Sequence, residues 1–216
     1  MDKHIDFTEQ CEQADYSNST SAKNNIPHTN NTIIFKLLHC LKLKADVKLL
    51  EIGSDDMEHL PFLFQKADRI SYYGASTSEV LLQKALSSKV LTTREKWSQF
   101  IKIEEDGRLE FQDDFFDCCF SANSLYFWKN PLRYFMEIYR VLYPGGKFDL
   151  AIVEKKFGGD LPWTQMDFTF YEISQVKDFF NRSGFVNVEV KQMTEEITSR
   201  DGKEITRPFV MISGQK

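Results

Sequence analysis

The sequence has no long hydrophobic stretch. None of its apolar runs approaches the roughly 18 residues of a membrane-spanning helix. The first residues are polar and lack the apolar core of a secretory signal. We therefore expect this 216-residue chain to have no membrane partner and to be cytoplasmic.

Cysteine is scarce, and its spacing does not suit a metal site. The four cysteines form no C-x-x-C pair, and Cys118 and Cys119 are neighbours on a predicted strand, where their side chains point to opposite faces. The four histidines also lack metal-ligand spacing. We expect reduced thiols, no disulfide framework and no metal site, in keeping with a cytoplasmic location.

An excess of basic residues is also missing. Lysine and arginine together number 27 against 32 aspartates and glutamates, which gives a net charge of −5. Proteins that bind the phosphate backbone of nucleic acids carry basic patches, and no such cluster is present. We therefore expect no nucleic-acid partner.

What the sequence does contain is an alternation of strand and helix patterns. Residues 1–30 are polar and predict a loosely ordered lead-in, and residues 31–216 read as a single domain. Helices are predicted at 31–43, from about 58–60 onward, and at 76–86, 131–142 and 173–182. Strands are predicted at 47–52, 70–74, about 100–103, 116–122, 147–153, 185–193 and 204–214. This order predicts an α/β fold with a doubly wound, mostly parallel sheet that ends in an antiparallel hairpin turning at Asp201–Gly202.

The first predicted strand organises the rest. It is a short apolar run that leads through Glu51 to Gly53 and then into a polar turn. In open α/β sheets, ligands bind just outside the carboxyl ends of the strands. We therefore expect the functional site to begin at this turn.

Two longer segments carry a family resemblance. Residues 116–128 read FDCCFSANSLYFW, and residues 137–148 read EIYRVLYPGGKF. Together with Leu50–Gly53, Tyr73–Gly74 and Gly184–Phe185, they resemble class I S-adenosylmethionine-dependent methyltransferases from about residue 30 to residue 216. The resemblance implies a Rossmann-like, seven-stranded sheet of order 3-2-1-4-5-7-6. It also implies that one strand is antiparallel and that the cofactor S-adenosylmethionine lies across strands 1, 2 and 4.

The same resemblance implies a set of site residues and a small-molecule methyl acceptor. Methyl transfer needs no dedicated base, and the sequence indicates no catalytic one. The implied cofactor contacts are Glu51, Gly53, Ser54, Asp55, Ser76, Asp106, Gly107 and Ala122. The implied lining of the acceptor pocket is Tyr126, Trp128, Trp163 and Tyr171.

The sequence departs from the family pattern at the cofactor site. Asp55 and Met57 stand where the motif E-x-G-x-G-x-G has its second and third glycines. Ser76 stands where the family has an acid that binds both ribose hydroxyls. Ordinary structural roles are open as well: Asp55 and Ser76 as helix caps, and Asp106 as a solvated turn residue.

Two functions follow from this pattern. The first is an S-adenosylmethionine-dependent methyltransferase acting on a small molecule. The second is a protein that keeps the fold, has lost cofactor binding and serves as a binding or regulatory module. The motif from Phe116 to Phe148 and the aromatic pocket candidates favour the first function, and the replacements at positions 55, 57 and 76 favour the second.

Overall fold

The computed structural model describes residues 31–53, 57–79, 83, 97–155, 169–198 and 204–216. The helices are α1 (Asn31–Cys40), α2 (Leu60–Leu63), α3 (Pro131–Val141) and α4 (Ile173–Arg182). The strands are β1 (Lys48–Ile52), β2 (Ser71–Ser76), β3 (Trp97–Lys102), β4 (Phe116–Ala122), β5 (Leu142–Ile152), β6 (Val186–Thr198) and β7 (Glu204–Gln215). A short 3-10 turn, Leu125–Phe127, follows β4.

These strands form one seven-stranded sheet in the order β3-β2-β1-β4-β5-β7-β6. Strands β1 to β5 pair in parallel, and β7 runs antiparallel to both β5 and β6. The expected fold class and strand order are confirmed. The order reverses between β1 and β4, so this pair forms the switch point of the sheet, where a crevice opens in such folds.

The two faces of the sheet bury separate cores because side chains alternate along each strand. Leu49 of β1 and Phe120 of β4 pack with α1 and α2 on one face. Leu50 and Ile52 of β1 pack with α3 and α4 on the other. Strand β1 is therefore buried on both sides, as its apolar sequence predicts.

Helix α3 begins where its sequence directs. The side-chain oxygen of Asn130 accepts a hydrogen bond from the backbone N–H of Arg133 at 3.2 Å, and Pro131 follows in the first turn. This cap satisfies one of the free N–H groups at the helix start, and proline loses nothing there because that N–H has no helical partner.

Several predicted boundaries were wrong. Helix α1 ends at Cys40 rather than at residue 43. Strand β5 begins at Leu142 rather than at residue 147, because the Pro144–Gly146 turn stays joined to the sheet: the Gly145 N–H donates to the Lys216 carbonyl at 2.8 Å. The late start of the helix after Asp56 is confirmed, with Pro61 in its first turn. The lead-in at 1–30 and the Asp201–Gly202 turn lie outside the described residues.

In the part of the chain that the structure describes, no helix is both long and apolar enough to cross a bilayer. Over the same ranges, no three histidine, cysteine or acidic side chains gather closely enough to hold a metal ion.

The core against α3 and α4 is largely aromatic, and Phe135 lies at its centre. Its ring is fully buried and contacts the rings of Trp128, Phe148 and Phe180 at centroid distances of 5.8, 5.4 and 4.9 Å. The next residue, Met136, is 53% exposed. Adjacent positions on one helix therefore differ sharply in burial.

We expect Phe135→Ala to destabilise the fold by about 3–5 kcal/mol, because it removes a buried ring and leaves a cavity. Met136→Ala on the same helix should change the free energy of unfolding by less than about 0.5 kcal/mol. Urea unfolding of both variants measures the difference. Similar losses in the two variants would contradict this account of the core.

Candidate functional site

The carboxyl ends of the parallel strands are joined beyond the strands themselves. The Gly53 N–H donates to the Ala75 carbonyl at 2.8 Å, and the Asn123 N–H donates to the Ala151 carbonyl at 2.9 Å. Ile103 likewise donates to the Ser76 carbonyl at 2.9 Å. These bonds hold Gly53, Ser76 and Asn123 along one edge of the sheet, on either side of the switch point.

Two features of the structure require glycine at position 53: the backbone conformation and the close approach of Ser124. Its φ is +83°, in the left-handed region, and a Cβ atom there would lie 2.2 Å from the Cβ of Ser124. The Ser124 hydroxyl in turn hydrogen-bonds the Ser121 hydroxyl, which donates to the Ile52 carbonyl at 2.8 Å. The side chains of Ser121 and Ser124 therefore link the ends of β1 and β4 through hydrogen bonds.

Glu51 points away from this edge and into the protein. Its carboxylate lies 2.9 Å from His59 Nε2 and also accepts a hydrogen bond from the Tyr72 hydroxyl. The side chain is buried on the α1 face, where Leu49 also points. Glu51 therefore ties β1 to β2 and to the start of α2. Its predicted neighbours in the cofactor site, Ser54 and Asp55, lie outside the described residues.

Ser76 ends β2 with a hydroxyl that already has a partner. Its Oγ accepts a hydrogen bond from the Ser78 N–H at 3.1 Å, and the residue is buried. This is the geometry of a serine that caps the segment after it. The hydroxyl nevertheless lies at the carboxyl end of β2, on the same edge as Gly53.

Asp106 and Gly107 form the turn after β3. Asp106 accepts a hydrogen bond from the Arg108 N–H at 3.0 Å and pairs with the Arg133 guanidinium at 2.8 Å, with both side chains about half exposed. Gly107 has φ +83°, and a Cβ there would lie 2.5 Å from the Tyr134 ring. The turn is therefore fixed against α3, with a carboxylate at its surface.

Tyr126 links the ends of β4 and β5. The Val153 N–H donates to its hydroxyl at 2.5 Å, and that hydroxyl lies 3.3 Å from both the Asn123 side-chain oxygen and the Val153 carbonyl. Burial raises the pKa of Tyr126 well above its ordinary value. Ala122 and Asn123, which has φ +53°, precede it at the end of β4. Tyr126 was predicted to line the acceptor pocket, but its hydroxyl instead bridges the ends of β4 and β5. We call this bridge the Tyr126 strap.

Of the other three predicted pocket residues, two lie in the aromatic core and one lies outside the described residues. Trp128 is buried and stacks on Tyr134, with ring centroids 4.5 Å apart and planes at 10°. Tyr171 is buried against Phe179 with an edge-to-face contact at 5.5 Å. Both take part in the aromatic core around α3 and α4. Trp163 lies outside the described residues.

Several residues of this edge were not predicted as site residues. Ser121 and Ser124 link the ends of β1 and β4, and Glu154, two residues after β5, is a buried carboxylate. A polar residue just after a predicted buried strand is a signal that the sequence did contain for Glu154; the same signal places Asn123 at the edge of the cofactor site. The Ser124 contact with Gly53 had no sequence signal, because it joins residues 71 positions apart in the chain.

The closeness of Gly53 to Ser124 leads to a double-variant prediction. Gly53→Ala should cost more than about 2 kcal/mol, because an unfavourable left-handed alanine is combined with a steric clash. In a Ser124→Gly background the clash is gone, and only the dihedral cost of about 1–2 kcal/mol should remain. Chemical denaturation of the four proteins of this cycle measures both values.

Gly145→Ala provides the matched control for that cycle. Its φ is +86°, but the nearest atom to an added Cβ is Gln215 Nε2 at 3.8 Å. It should therefore show the dihedral cost alone. An equal loss for Gly53→Ala with and without Ser124 would contradict the proposed contact.

The Tyr126 strap gives a prediction that depends on pH. Tyr126→Phe leaves the buried Val153 N–H without its acceptor and should cost about 1–3 kcal/mol, against less than about 0.5 for the half-exposed Tyr143→Phe. In the native protein the raised pKa keeps Tyr126 neutral, whereas in the unfolded chain it ionises near pH 10. Its contribution is therefore complete below about pH 10 and is lost as the pH rises further.

Unfolding measured from pH 8 to 11 should accordingly show a shallower alkaline loss of stability in Tyr126→Phe than in the unaltered protein. An identical slope would mean that the hydroxyl is not held neutral as described.

Comparisons with known proteins agree with this architecture. Residues 50–150 match the model of a methyltransferase domain. Among curated proteins, the chain is 29% identical to phosphoethanolamine N-methyltransferase 2 of Caenorhabditis elegans over 39% of its length, and 33% identical to the biotin biosynthesis bifunctional protein BioHC of Teredinibacter turnerae over 40%. The matches span only 21% and 16% of those proteins.

Solved structures show the same fold over nearly the whole chain. A putative methyltransferase of Haloferax volcanii, solved in complex with the activator Trm112, superimposes with a TM-score of 0.69 and 17% identity, covering 90% of this chain and 93% of that one. A possible histamine N-methyltransferase of Thermotoga maritima gives 0.64 and 19%, covering 87% and 90%. Residues 50–150 therefore match a methyltransferase domain, and the sheet has the strand order expected of class I S-adenosylmethionine-dependent methyltransferases.

Proposed function

We propose that this protein transfers a methyl group from S-adenosylmethionine to a small molecule. The observation that carries the proposal is the alignment of Gly53, Ser76 and Asn123 along the switch-point edge, within the segment that matches a methyltransferase domain. The edge lies outside the carboxyl ends of parallel strands, where ligands of such sheets bind.

The described residues of this edge fit a nucleoside cofactor. Gly53 and Ala122 are partly exposed, so a ligand can reach the backbone at the ends of β1 and β4 from the solvent side. The Ser76 hydroxyl at the end of β2 can hydrogen-bond a ribose hydroxyl, and the Asp106 carboxylate can accept from an exocyclic amine. Glu51 would act through the fold instead, because its carboxylate is held by His59 and Tyr72.

When bound, the cofactor supplies an electrophilic methyl group on a sulfonium. The chain's part is then to hold the acceptor in line and to exclude water. The Tyr126 strap fixes the ends of β4 and β5 relative to each other, and the stacked Trp128 and Tyr134 rings give the region a rigid wall. Positioning of this kind needs no general base.

A small acceptor is favoured over a nucleic acid by charge. The net charge of −5 opposes binding to a phosphate backbone. Two of the similar proteins bear names that indicate small amine acceptors, phosphoethanolamine in one and histamine in the other. A fold that has lost the cofactor is the competing function, and it rests on the replacements at positions 55, 57 and 76.

Calorimetric titration with S-adenosylhomocysteine tests the proposal directly. We expect binding with a Kd in the micromolar range. Ser76→Asp should then tighten binding about tenfold, because a carboxylate accepts from both ribose hydroxyls and can still cap the Ser78 N–H. The matched control, Ser71→Asp, adds the same charge at the opposite end of β2 and should leave the Kd unchanged.

If no heat is released at millimolar S-adenosylhomocysteine, the methyltransferase function is wrong. The competing function, a binding or regulatory module without the cofactor, is then supported. Equal effects of the two aspartate variants would show that Ser76 does not face the ribose.

A further inference from the structure

The turn after β3 joins parts of the fold that lie on opposite sides of the switch point. In the described sheet β3 is an outer strand, with β2 and β1 between it and β4. The Gly107 N–H closes the turn by donating to the Glu104 carbonyl at 2.9 Å. Gly107 also packs against α3, the helix that follows β4, since a Cβ atom there would be 2.5 Å from the Tyr134 ring. The segment after the outer strand is therefore held at the start of α3.

The Asp106 carboxylate in this turn is held through both of its oxygens. Oδ1 accepts a hydrogen bond from the Arg108 N–H at 3.0 Å, and Oδ2 lies 2.8 Å from Arg133 Nη2. The side chain is 47% exposed, so it can also be reached from solvent. An ionised carboxylate has about four lone-pair positions, which leaves one on each oxygen for a further donor. Asp106 is therefore fixed in direction and can still accept a hydrogen bond from a ligand.

The position of Arg133 is not explained by the helix that carries it. Arg133 lies in the first turn of α3, which contains no acidic residue. A positive charge is unfavourable there, because the N-terminal end of the helix dipole is itself positive. The ion pair with Asp106 is about half exposed, and pairs of this kind add little to stability. The carboxylate that Arg133 holds is therefore a better reason for this side chain than the stability of α3.

Further contacts join the same turn to the same helix start. Lys129, just before the Asn130 cap, forms an ion pair with Glu105. The pKa of Tyr134 is raised to about 12, first by burial and then by the carboxylates of Asp106 and Glu105. Both carboxylates are therefore close enough to act on the Tyr134 hydroxyl. The turn and the start of α3 form one unit, in which Arg133 directs Asp106.

We propose that Arg133 is a positioning residue: by holding the Asp106 carboxylate in one direction, it makes the site select a nucleoside whose base carries an exocyclic amine. The proposal rests on the methyltransferase function argued above. An amine donates to the carboxylate, whereas a carbonyl at the same position of the base would set two acceptors against each other. A site built for a donor rejects an analogue that lacks it, provided that the accepting group cannot turn away. Arg133 supplies that restraint.

Two matched ligands test the selection of the base. The full chain is titrated calorimetrically with S-adenosylhomocysteine and with S-inosylhomocysteine, in which a carbonyl replaces the exocyclic amine. We expect the adenosine ligand to bind about tenfold more tightly, because the inosine ligand leaves the carboxylate without its donor. Arg133→Met should reduce this preference several-fold, by weakening the adenosine ligand and leaving the inosine ligand nearly unchanged. Asp106→Asn should bring the preference close to one, because an amide can either accept or donate.

Lys129→Met is the matched control. It removes the neighbouring ion pair, which joins the same turn to the same helix start and whose two side chains are each 70% exposed. It also removes one positive charge, as Arg133→Met does, but it leaves Asp106 held. We expect it to leave the preference between the two ligands unchanged. If Arg133→Met fails to fold, Asp106→Asn still tests the selection, because it removes the charge that Arg133 holds.

Equal weakening of both ligands by Arg133→Met would mean that Arg133 only supports the fold, and the proposal would be wrong. The same holds if Lys129→Met reduces the preference as much as Arg133→Met does, or if Asp106→Asn leaves it unchanged. The titrations also separate this proposal from the proposed function. Binding of S-adenosylhomocysteine without a preference over the inosine ligand rejects the role of Arg133 alone, whereas absence of binding to either ligand rejects the methyltransferase as well.

Discussion

The structure depends on β1 being held between β2 and β4 in parallel register. Leu50 pairs with Tyr73 on one side and with Cys119 on the other, and these pairings set where each strand ends. The hydrogen bonds of Gly53 and Asn123 beyond the strand ends extend that alignment into the loops. Because the register is fixed by burial on both faces, a slip of one residue would exchange the two cores.

A buried carboxylate takes part in this arrangement. Removing Glu51 from water costs free energy, and the charge is tolerated because His59 and Tyr72 both hydrogen-bond to it. His59 also makes the edge-to-face contact with Phe120 of β4, with ring centroids 6.5 Å apart. The network therefore joins β1, β2, β4 and the start of α2.

The sequence predicts the sheet well because its signals are local and repeated. They are the buried apolar strands, the Asn130–Pro131 start of α3 and the motif from Phe116 to Phe148. It predicts side-chain roles less well, because those depend on contacts between distant residues. Tyr126 looked like a pocket residue, yet its hydroxyl is used by Val153 N–H, 27 positions away. Glu51, which was predicted to contact the cofactor, is likewise held by the Tyr72 hydroxyl, 21 positions away.

Two residues of the first motif, Glu51 and Gly53, have structural contacts that would account for them without any activity. Gly53 is needed because Ser124 occupies the space of a side chain, and Glu51 is needed because it anchors His59 and Tyr72. Both residues would be required by the fold even without a cofactor, so their presence cannot distinguish the enzyme from a binding module. Ser76 carries more information, since the proposed function has its hydroxyl bind the ribose. The competing functions therefore differ in whether this side chain meets a nucleoside, which can be measured without knowing the natural acceptor.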